Sequence, residues 1–405
     1  MVQSIDEQLD TITQDVADTY TALGAKGATL PAKKGTSNLK ATVDSLPKSK
    51  SGFPFTYCKV SSDGVLSLDT ANFDSDTFKG VKVIDKGVFE RLNSNLFNKD
   101  ETLVFDDIIE VRDESFYMCV YSQAQFNVKI TNTSFKKLTT VGKSSFFKCG
   151  FTWEGDFTFD SLSSVEVQSF YEAFSKSTNA NAIAFPILTS LKSESFSRSF
   201  YQSQVKSVSF QKLRIIPSGS FTNAFLNSSL EEINLPELES AYLSDTFNNS
   251  KLTVFNAPKV KTLYLDNTFA RSLIKDFSSD SLTDLNMVSQ GRDFYECTAL
   301  TTFSVPNVKK LYLDYTFYNC QSLSNIDVSG VVDFNGGSYA FYKCTALTTF
   351  SLPSATKIKL TTSAFNGCTA LTEIHFRADM QATVEALSGY ASKWGATNAT
   401  IYFDL

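Results

Sequence analysis

Between residues 294 and 376 the apolar positions return on a fixed beat. Phe294-Tyr-Glu-Cys297-Thr-Ala-Leu300-Thr-Thr-Phe303-Ser-Val305-Pro306 comes back as Phe341-Tyr-Lys-Cys344-Thr-Ala-Leu347-Thr-Thr-Phe350-Ser-Leu352-Pro353. Phe317-Tyr-Asn-Cys320-Gln-Ser-Leu323-Ser-Asn-Ile326-Asp-Val328 lies between them, and Phe365-Asn-Gly-Cys368-Thr-Ala-Leu371-Thr-Glu-Ile374-His-Phe376 follows. The anchoring phenylalanines are 23, 24 and 24 residues apart. A fixed period in that range marks a solenoid, in which one unit cannot bury its apolar face alone but stacked neighbours can. Within a unit, Phe303 and Val305 alternate with Thr302 and Ser304 as a half-buried strand does, and Pro306 stops the ladder. A second alternation, Leu311-Tyr-Leu313-Asp, leads into the next Thr-Phe.

The beat can be followed backwards with growing drift. Phe269, Phe247 and Phe225 are spaced by 22 residues, and Leu252-Thr-Val-Phe255-Asn-Ala-Pro258 and Leu230-Glu-Glu-Ile233-Asn-Leu235-Pro236 keep the strand signature. Earlier turns are marked by Phe200, Phe174, Phe147 and Phe116, at intervals of 25–31 that imply longer loops, and Phe89 and Phe78 begin the array. Residues 53–72 suit a strand pair at its start. The period breaks after Phe376, where residues 383–394 suit a helix and 399–403 a strand, together an end cap.

The N-terminal part has a different period. Ile5, Leu9, Ile12, Val16 and Leu23 form a heptad seam with one member missing, which fits either a helix packed on its own chain or a short coil joining copies into a homo-oligomer. Gly24, Gly27 and Pro31 end it, and a second short helix runs through Leu39, Val43 and Leu46 to Pro47. Lys48-Ser-Lys-Ser-Gly52 reads as a linker. The expected organisation is therefore helical residues 1–47, a linker at 48–52, a mainly β repeat solenoid over 53–376, and an α/β cap at 377–405.

Composition narrows the function. In a chain of 405 residues, phenylalanine is abundant at 36, while Trp (2), Met (4) and His (1) are scarce, as a repeat that demands Phe at one position would produce. The net charge of −6 argues against a nucleic-acid partner, and no apolar run approaches membrane-spanning length, so no membrane insertion is expected. Met1-Val-Gln-Ser-Ile-Asp-Glu-Gln is polar and acidic, which predicts no secretion signal. Seven cysteines form no CxxC pair. Cys297, Cys320, Cys344 and Cys368 share one repeat position, which predicts a ladder of buried reduced thiols rather than disulfides.

The unit Phe-Tyr-x-Cys-x-x-Leu-x-x-Φ-x-Φ-Pro, where Φ is apolar, resembles the BspA-type leucine-rich repeat of bacterial surface proteins and some protists, over about residues 78–376. The resemblance implies a curved β-solenoid-like array used for adhesion, with no catalytic motif. The stretch Ala17-Asp-Thr-Tyr-Thr-Ala-Leu-Gly-Ala-Lys-Gly-Ala-Thr-Leu-Pro31, continued by Asn38-Leu-Lys-Ala-Thr-Val-Asp-Ser-Leu46, resembles a segment at the start of tail and other virion proteins of phages infecting gut Firmicutes. That resemblance implies a virion protein, made in the host cytoplasm and released by lysis. Residues 1–47 would contact other virion proteins, and the array would meet a glycan or protein on the host surface. The alternative is a bacterial cell-surface adhesin or secreted interaction protein.

Candidate chemistry is sparse. His375, between Ile374 and Phe376, points outward from the last regular strand with no evident partner, so a surface role is expected. Asp106-Asp107 and Glu231-Glu232 read as solvated edges rather than a glycosidase pair. No phosphate loop, calcium loop, metal site or cofactor motif is present in the sequence, and no catalytic residue is expected. The candidate binding residues are tyrosines that fall five positions before an anchoring Phe: Tyr242, Tyr264 and Tyr312, with Asp266 and Asp314 beside them. With the flanking leucines inward, these rings face out in register, either as a ligand-binding column or as drift on a solvated face.

Overall fold

The computed structural model describes strands at 58–60 and 66–68, residues 80–90 apart from 85 and 88, and residues 102–119, 128–287 and 291–405. Over the described residues the chain is a mainly β parallel solenoid with almost no helix. The helical segment expected over 1–47, the linker at 48–52 and Phe78 lie outside the described residues. The strand pair expected at the start is present, Cys58–Val60 running antiparallel to Leu66–Leu68.

Each coil contributes two short strands that pair in parallel with the same strands of the next coil. One strip includes Thr302–Ser304 beside Asn325–Asp327, with Phe303 opposite Ile326. The other includes Ser240–Ser244, Thr262–Asp266 and Asp284–Met287, with Leu243 opposite Leu265 and Leu265 opposite Met287. In-register pairing places like residues on like, so one alternating pattern repeated per coil suffices to bury a continuous core. Leu263, Leu265, Phe303 and Val305 are fully buried, as the alternation predicts.

The third side of the coil carries the phenylalanines. Their rings form one column from Phe174 through Phe200 and Phe225 to Phe365, each near-parallel to the next. Centroids are 4.9 Å apart at Phe174–Phe200, 5.4 Å at Phe247–Phe269 and 5.2 Å at Phe341–Phe365. The backbone N–H of each anchor donates to the carbonyl one residue before the next anchor, as in Phe247 to Thr268 (2.9 Å) and Phe317 to Ala340 (2.9 Å). Residues two positions either side of the anchor do the same, with positive φ: Asp245 and Asn249 flank Phe247, and Tyr315 and Asn319 flank Phe317. A left-handed residue other than glycine costs roughly 1–2 kcal/mol, least for Asn and Asp, so the ladder is made at a standing local cost. Glycine takes this conformation at Gly367, two residues after Phe365, with φ at 82°, and at Gly87, two residues before Phe89, with φ at 66°.

A second Phe column runs through the early coils, Phe89–Phe116–Phe146–Phe170–Phe196, with neighbouring centroids 5.0–5.2 Å apart. The anchor of that coil is Phe146 and not Phe147, which is only half-buried and stacks outside on Tyr117 and Tyr171. The columns overlap where a coil carries both, Phe170 and Phe174. The shift of four residues between them lengthens the step from Phe146 to Phe174, while Phe116 to Phe146 spans 30 residues within one column.

The cysteines that share one repeat position are buried and free. Each thiol donates to the anchor carbonyl of the coil before: Cys297 to Phe269 (2.9 Å), Cys320 to Phe294 (3.0 Å), Cys344 to Phe317 (3.1 Å) and Cys368 to Phe341 (2.9 Å). Burial pushes the Cys297 thiol up to about 12, so it stays a thiol and a donor.

At the far end the helix expected over 383–394 shrinks to Gln381–Glu385, followed by turns and a 3-10 turn at Lys393–Gly395. The Trp394 carbonyl accepts the Phe365 N–H (2.9 Å), taking the place of a further coil, and Thr400–Phe403 adds one more parallel strand beside Glu373–Phe376.

One buried residue departs from the repeat. The residue before an anchor often bears a hydroxyl that donates to a carbonyl of the coil before, as Thr246 does to Phe221 (3.1 Å) and Thr268 to Leu243 (2.7 Å). Asp293, fully buried before Phe294, holds this position; the Thr268 N–H reaches one of its oxygens (3.3 Å) and the other has no partner. Burial pushes its carboxyl up to about 7, so the group is a neutral donor below that pH.

Two predictions follow from this packing. Phe317→Ala, which removes a ring stacked on both sides, should cost about 3–5 kcal/mol in urea unfolding, whereas Tyr312→Ala, 48% exposed, should cost under about 1 kcal/mol. Equal losses would reverse the assignment of faces. Asp293 has a folded value above its unfolded one, so between about pH 4 and pH 7 the unfolded chain ionises first and stability falls as pH rises. Asp293→Thr should therefore raise the melting temperature at pH 7 by a few degrees and leave it nearly unchanged at pH 4. A gain of the same size at both pH values would show that the carboxyl does not carry the effect.

Candidate functional site

The strand strip of Ser240–Ser244 and Thr262–Asp266 positions the first candidate residues. Ala241, Leu243, Leu263 and Leu265 are buried, so period-two alternation sends Tyr242 and Tyr264 outward. Parallel register places Tyr242 directly opposite Tyr264, and the rings stack with centroids 4.0 Å apart and planes 2° from parallel. The hydrogen bond that the Tyr242 hydroxyl donates to Tyr264, together with desolvation, raises the Tyr242 phenol above its ordinary value. Asp266, exposed at the end of the strand, accepts from Ser244 Oγ (3.1 Å).

Tyr312 is not the next member of that column. Tyr264 is followed in register by Asn286, and Tyr312 begins a separate sheet opposite Asn335. Its hydroxyl donates to Asp333 (3.3 Å), whose charge raises the phenol's pKa. One oxygen of Asp314 is engaged by the backbone N–H of Ser338 in the next coil (2.8 Å), so this carboxylate ties coils together. The structure thus joins Tyr242, Tyr264 and Asp266 into one patch and keeps Tyr312 and Asp314 apart from it.

His375 has partners that the sequence did not reveal. Nδ1 lies 2.9 Å from Asp404, Nε2 lies 3.5 Å from Glu373, and the ring stacks on Tyr402 at 4.8 Å. Asp404 comes from the last residues of the chain, 29 positions away, so its proximity follows only from the added strand. The contact with Asp404 and the stack on Tyr402 fasten the final strand to the array.

The acidic pairs are occupied as well. Asp107 accepts from Lys137 (2.8 Å), from the Gly80 N–H (2.9 Å) and from Lys82 (3.3 Å), which hold its carboxyl well below the usual range. Glu231 pairs with Lys206 at 3.7 Å. A groove of about 350 Å³ beside Glu110, Asp113 and Glu166 has Glu110 on Arg112 (3.0 Å) and Asp113 on the Lys143 N–H (2.7 Å). Glu110 and Asp113 are thus each engaged, one by a guanidinium and the other by a backbone N–H. Among the described residues no group of three or more His, Cys, Asp or Glu is placed to hold a metal, and no helix is long and apolar enough to cross a membrane.

The aromatic rows on the turn side were missed in the sequence. The residue after the anchor is Tyr295, Tyr318 and Tyr342 in consecutive coils, and these rings stack at 4.8 and 4.6 Å. A second row at the position two before the anchor holds Tyr315 and Tyr339, 5.4 Å apart. The signal was present in the recurring Phe-Tyr dipeptide: with the Phe turned inward, its neighbour lies on the outside.

Comparison with known proteins bears on the fold that carries these surfaces. The model of the BspA type leucine rich repeat region matches the chain in six copies, over residues 139–275, 195–312 and 290–388. A crystal structure of a leucine-rich repeat protein from Bacteroides ovatus ATCC 8483 is similar at 17% identity, covering 80% of this chain and 88% of that chain with a TM-score of 0.42. No curated protein matches the sequence. Six family copies spread over most of the array, on coils that share one anchor, one thiol and one strand pattern, show that the chain belongs to the BspA-type leucine-rich repeat family.

Proposed function

We propose that this chain is a non-enzymatic attachment protein whose array binds a ligand on a cell surface. One observation carries the reading: Tyr242 and Tyr264 stand outward, stacked and in register, on a strip whose inward residues are wholly buried. Aromatic rings fixed on a rigid strand lose little entropy on binding and present both an apolar body and a hydroxyl. Asp266 at the strand end adds an acceptor, and Tyr312 beside Asp333 offers a second point of contact farther along the array.

The finer reading is a phage virion component of the tail. Residues 1–47 dock on other virion proteins and the array meets a host glycan or protein. Its support is the resemblance of residues 17–31 and 38–46 to the start of phage virion proteins. Family membership favours a second reading, a bacterial surface adhesin, because the BspA-type repeat resembles that of bacterial surface proteins.

Removal of residues 1–47 and the paired change Tyr242→Ala with Tyr264→Ala separate these roles. The truncated chain should keep the array's thermal unfolding transition but be absent from purified phage particles. The tyrosine variant should enter particles normally and reduce adsorption to host cells by about tenfold, the loss expected of a binding hot spot. Incorporation of the truncated chain would overturn the virion role. Adsorption unchanged in the tyrosine variant would overturn the assignment of the strand face.

A further inference from the structure

The turn side of the coils around Phe294, Phe317 and Phe341 sets half-buried tyrosines beside exposed cations. Tyr295, Tyr318 and Tyr342 form one row along the array axis. The second row, two positions before each anchor, is headed by Arg292 and continues as Tyr315 and Tyr339. The rows touch where Tyr339 meets Tyr342 edge to face at 5.3 Å.

Cations sit on these rings. The Arg292 guanidinium lies 5.6 Å from the Tyr295 ring and 5.8 Å from the Tyr315 ring, bridging the two rows. Lys343 lies 5.3 Å from Tyr342, and Arg271 lies 5.2 Å from Tyr295. Arg271 is paired with Glu296 at 2.9 Å, whereas Arg292 and Lys343 are exposed and have no carboxylate partner among the described residues. A guanidinium resting on a ring uses its face and keeps its N–H donors for another group.

The stacking decides what the surface can hold. Rings 4.6–4.8 Å apart cover one another's faces and cations lie over the rings that end the row, so what remains open is their edges and hydroxyls. The edge is the positive end of the ring quadrupole, and the hydroxyl is a donor. A neutral sugar that stacks its C–H face needs an open ring face, which these rows do not offer. Edges, phenol donors and two available cations instead select anionic oxygens. The selection is local, since the whole chain carries −6. The tyrosine row repeats once per coil along a line, with Arg292 at one end and Lys343 at the other, which matches a ligand extended along that line.

We infer that the turn face at Arg292, Tyr295, Tyr318, Tyr342 and Lys343 binds a linear acidic polysaccharide through its carboxylate or sulfate groups. This rests on the reading of the array as a binding scaffold, and it is a second site distinct from Tyr242 and Tyr264. Binding is expected to weaken as salt rises, because the exposed charges are screened.

The test is affinity electrophoresis of the full chain through gels containing alginate (carboxylated), heparin (sulfated), neutral dextran or polyglutamate. Retardation is expected with alginate, heparin or both, the two arms telling carboxylate from sulfate, and with neither dextran nor polyglutamate. Arg292→Ala combined with Lys343→Ala should raise the apparent Kd by about tenfold or more, as loss of a hot spot does. Tyr318→Leu should weaken binding at constant charge, with an unchanged melting transition showing that the coil still folds. Tyr242→Ala with Tyr264→Ala should bind as the parent does. Retardation by polyglutamate equal to that by alginate would replace the glycan with an acidic protein and overturn the inference. So would unaltered retardation of the Arg292/Lys343 variant. Failure to bind any acidic polymer, with adsorption to cells intact, overturns this site and leaves the attachment reading standing; loss of both overturns both.

Discussion

The structure depends on one recurring junction, where an anchoring phenylalanine stacks on its counterpart and its N–H reaches the next coil's carbonyl. Phe317 illustrates it, with rings 5.6 and 5.4 Å away on its two sides and a backbone bond to Ala340. Neither part suffices alone. Rings stack closely only if the backbones are held in register, and the backbone ladder needs positive-φ residues such as Tyr315 and Asn319, whose cost must be offset by burial. The thiol of Cys320 and the hydroxyl of Thr268 fit the same logic. Each supplies a donor to a carbonyl that would otherwise lie in an apolar interior.

That junction also explains which parts of the fold were legible. Phe, Leu and Cys at fixed spacing reveal the buried face because a stack tolerates little else at those positions. The flanking asparagines at 223, 227, 249, 267 and 319 carried a signal for left-handed backbone, but a scattered Asn reads equally well as a loop residue until the ladder is seen. The choice between Phe146 and Phe147 turned on counting back across long intervals. Adjacent phenylalanines cannot be told apart by spacing, although Cys149 three residues after Phe146 matches Cys119 three after Phe116.

The candidate sites were legible only as faces. Alternation was enough to send Tyr242, Tyr264 and Tyr312 outward, but not to say which of them are neighbours. The offset of five residues from the anchor is the same in all three, while the coil between Phe269 and Phe294 presents Asn286 at that place. A count from the anchor therefore aligns rings that the sheet separates. His375 shows a related limit. Its contact with Asp404 depends on a strand added after the period has broken, where spacing carries no information.

A ladder of this kind favours binding over catalysis for a physical reason. Parallel in-register coils set like beside like, so tyrosine meets tyrosine at 242 and 264, and at 295, 318 and 342. Acid–base chemistry needs unlike groups converging on one reacting atom, with their proton affinities pushed apart. Repetition instead supplies the same weak contact several times, and contacts made by one ligand at successive coils reinforce each other because the second is already held near its site. The inward residues fix the spacing and the outward ones are left free to differ. Two faces of one array can therefore carry different chemistry: stacked phenols beside Asp266 on the strand side, and phenol edges beside Arg292 and Lys343 on the turn side.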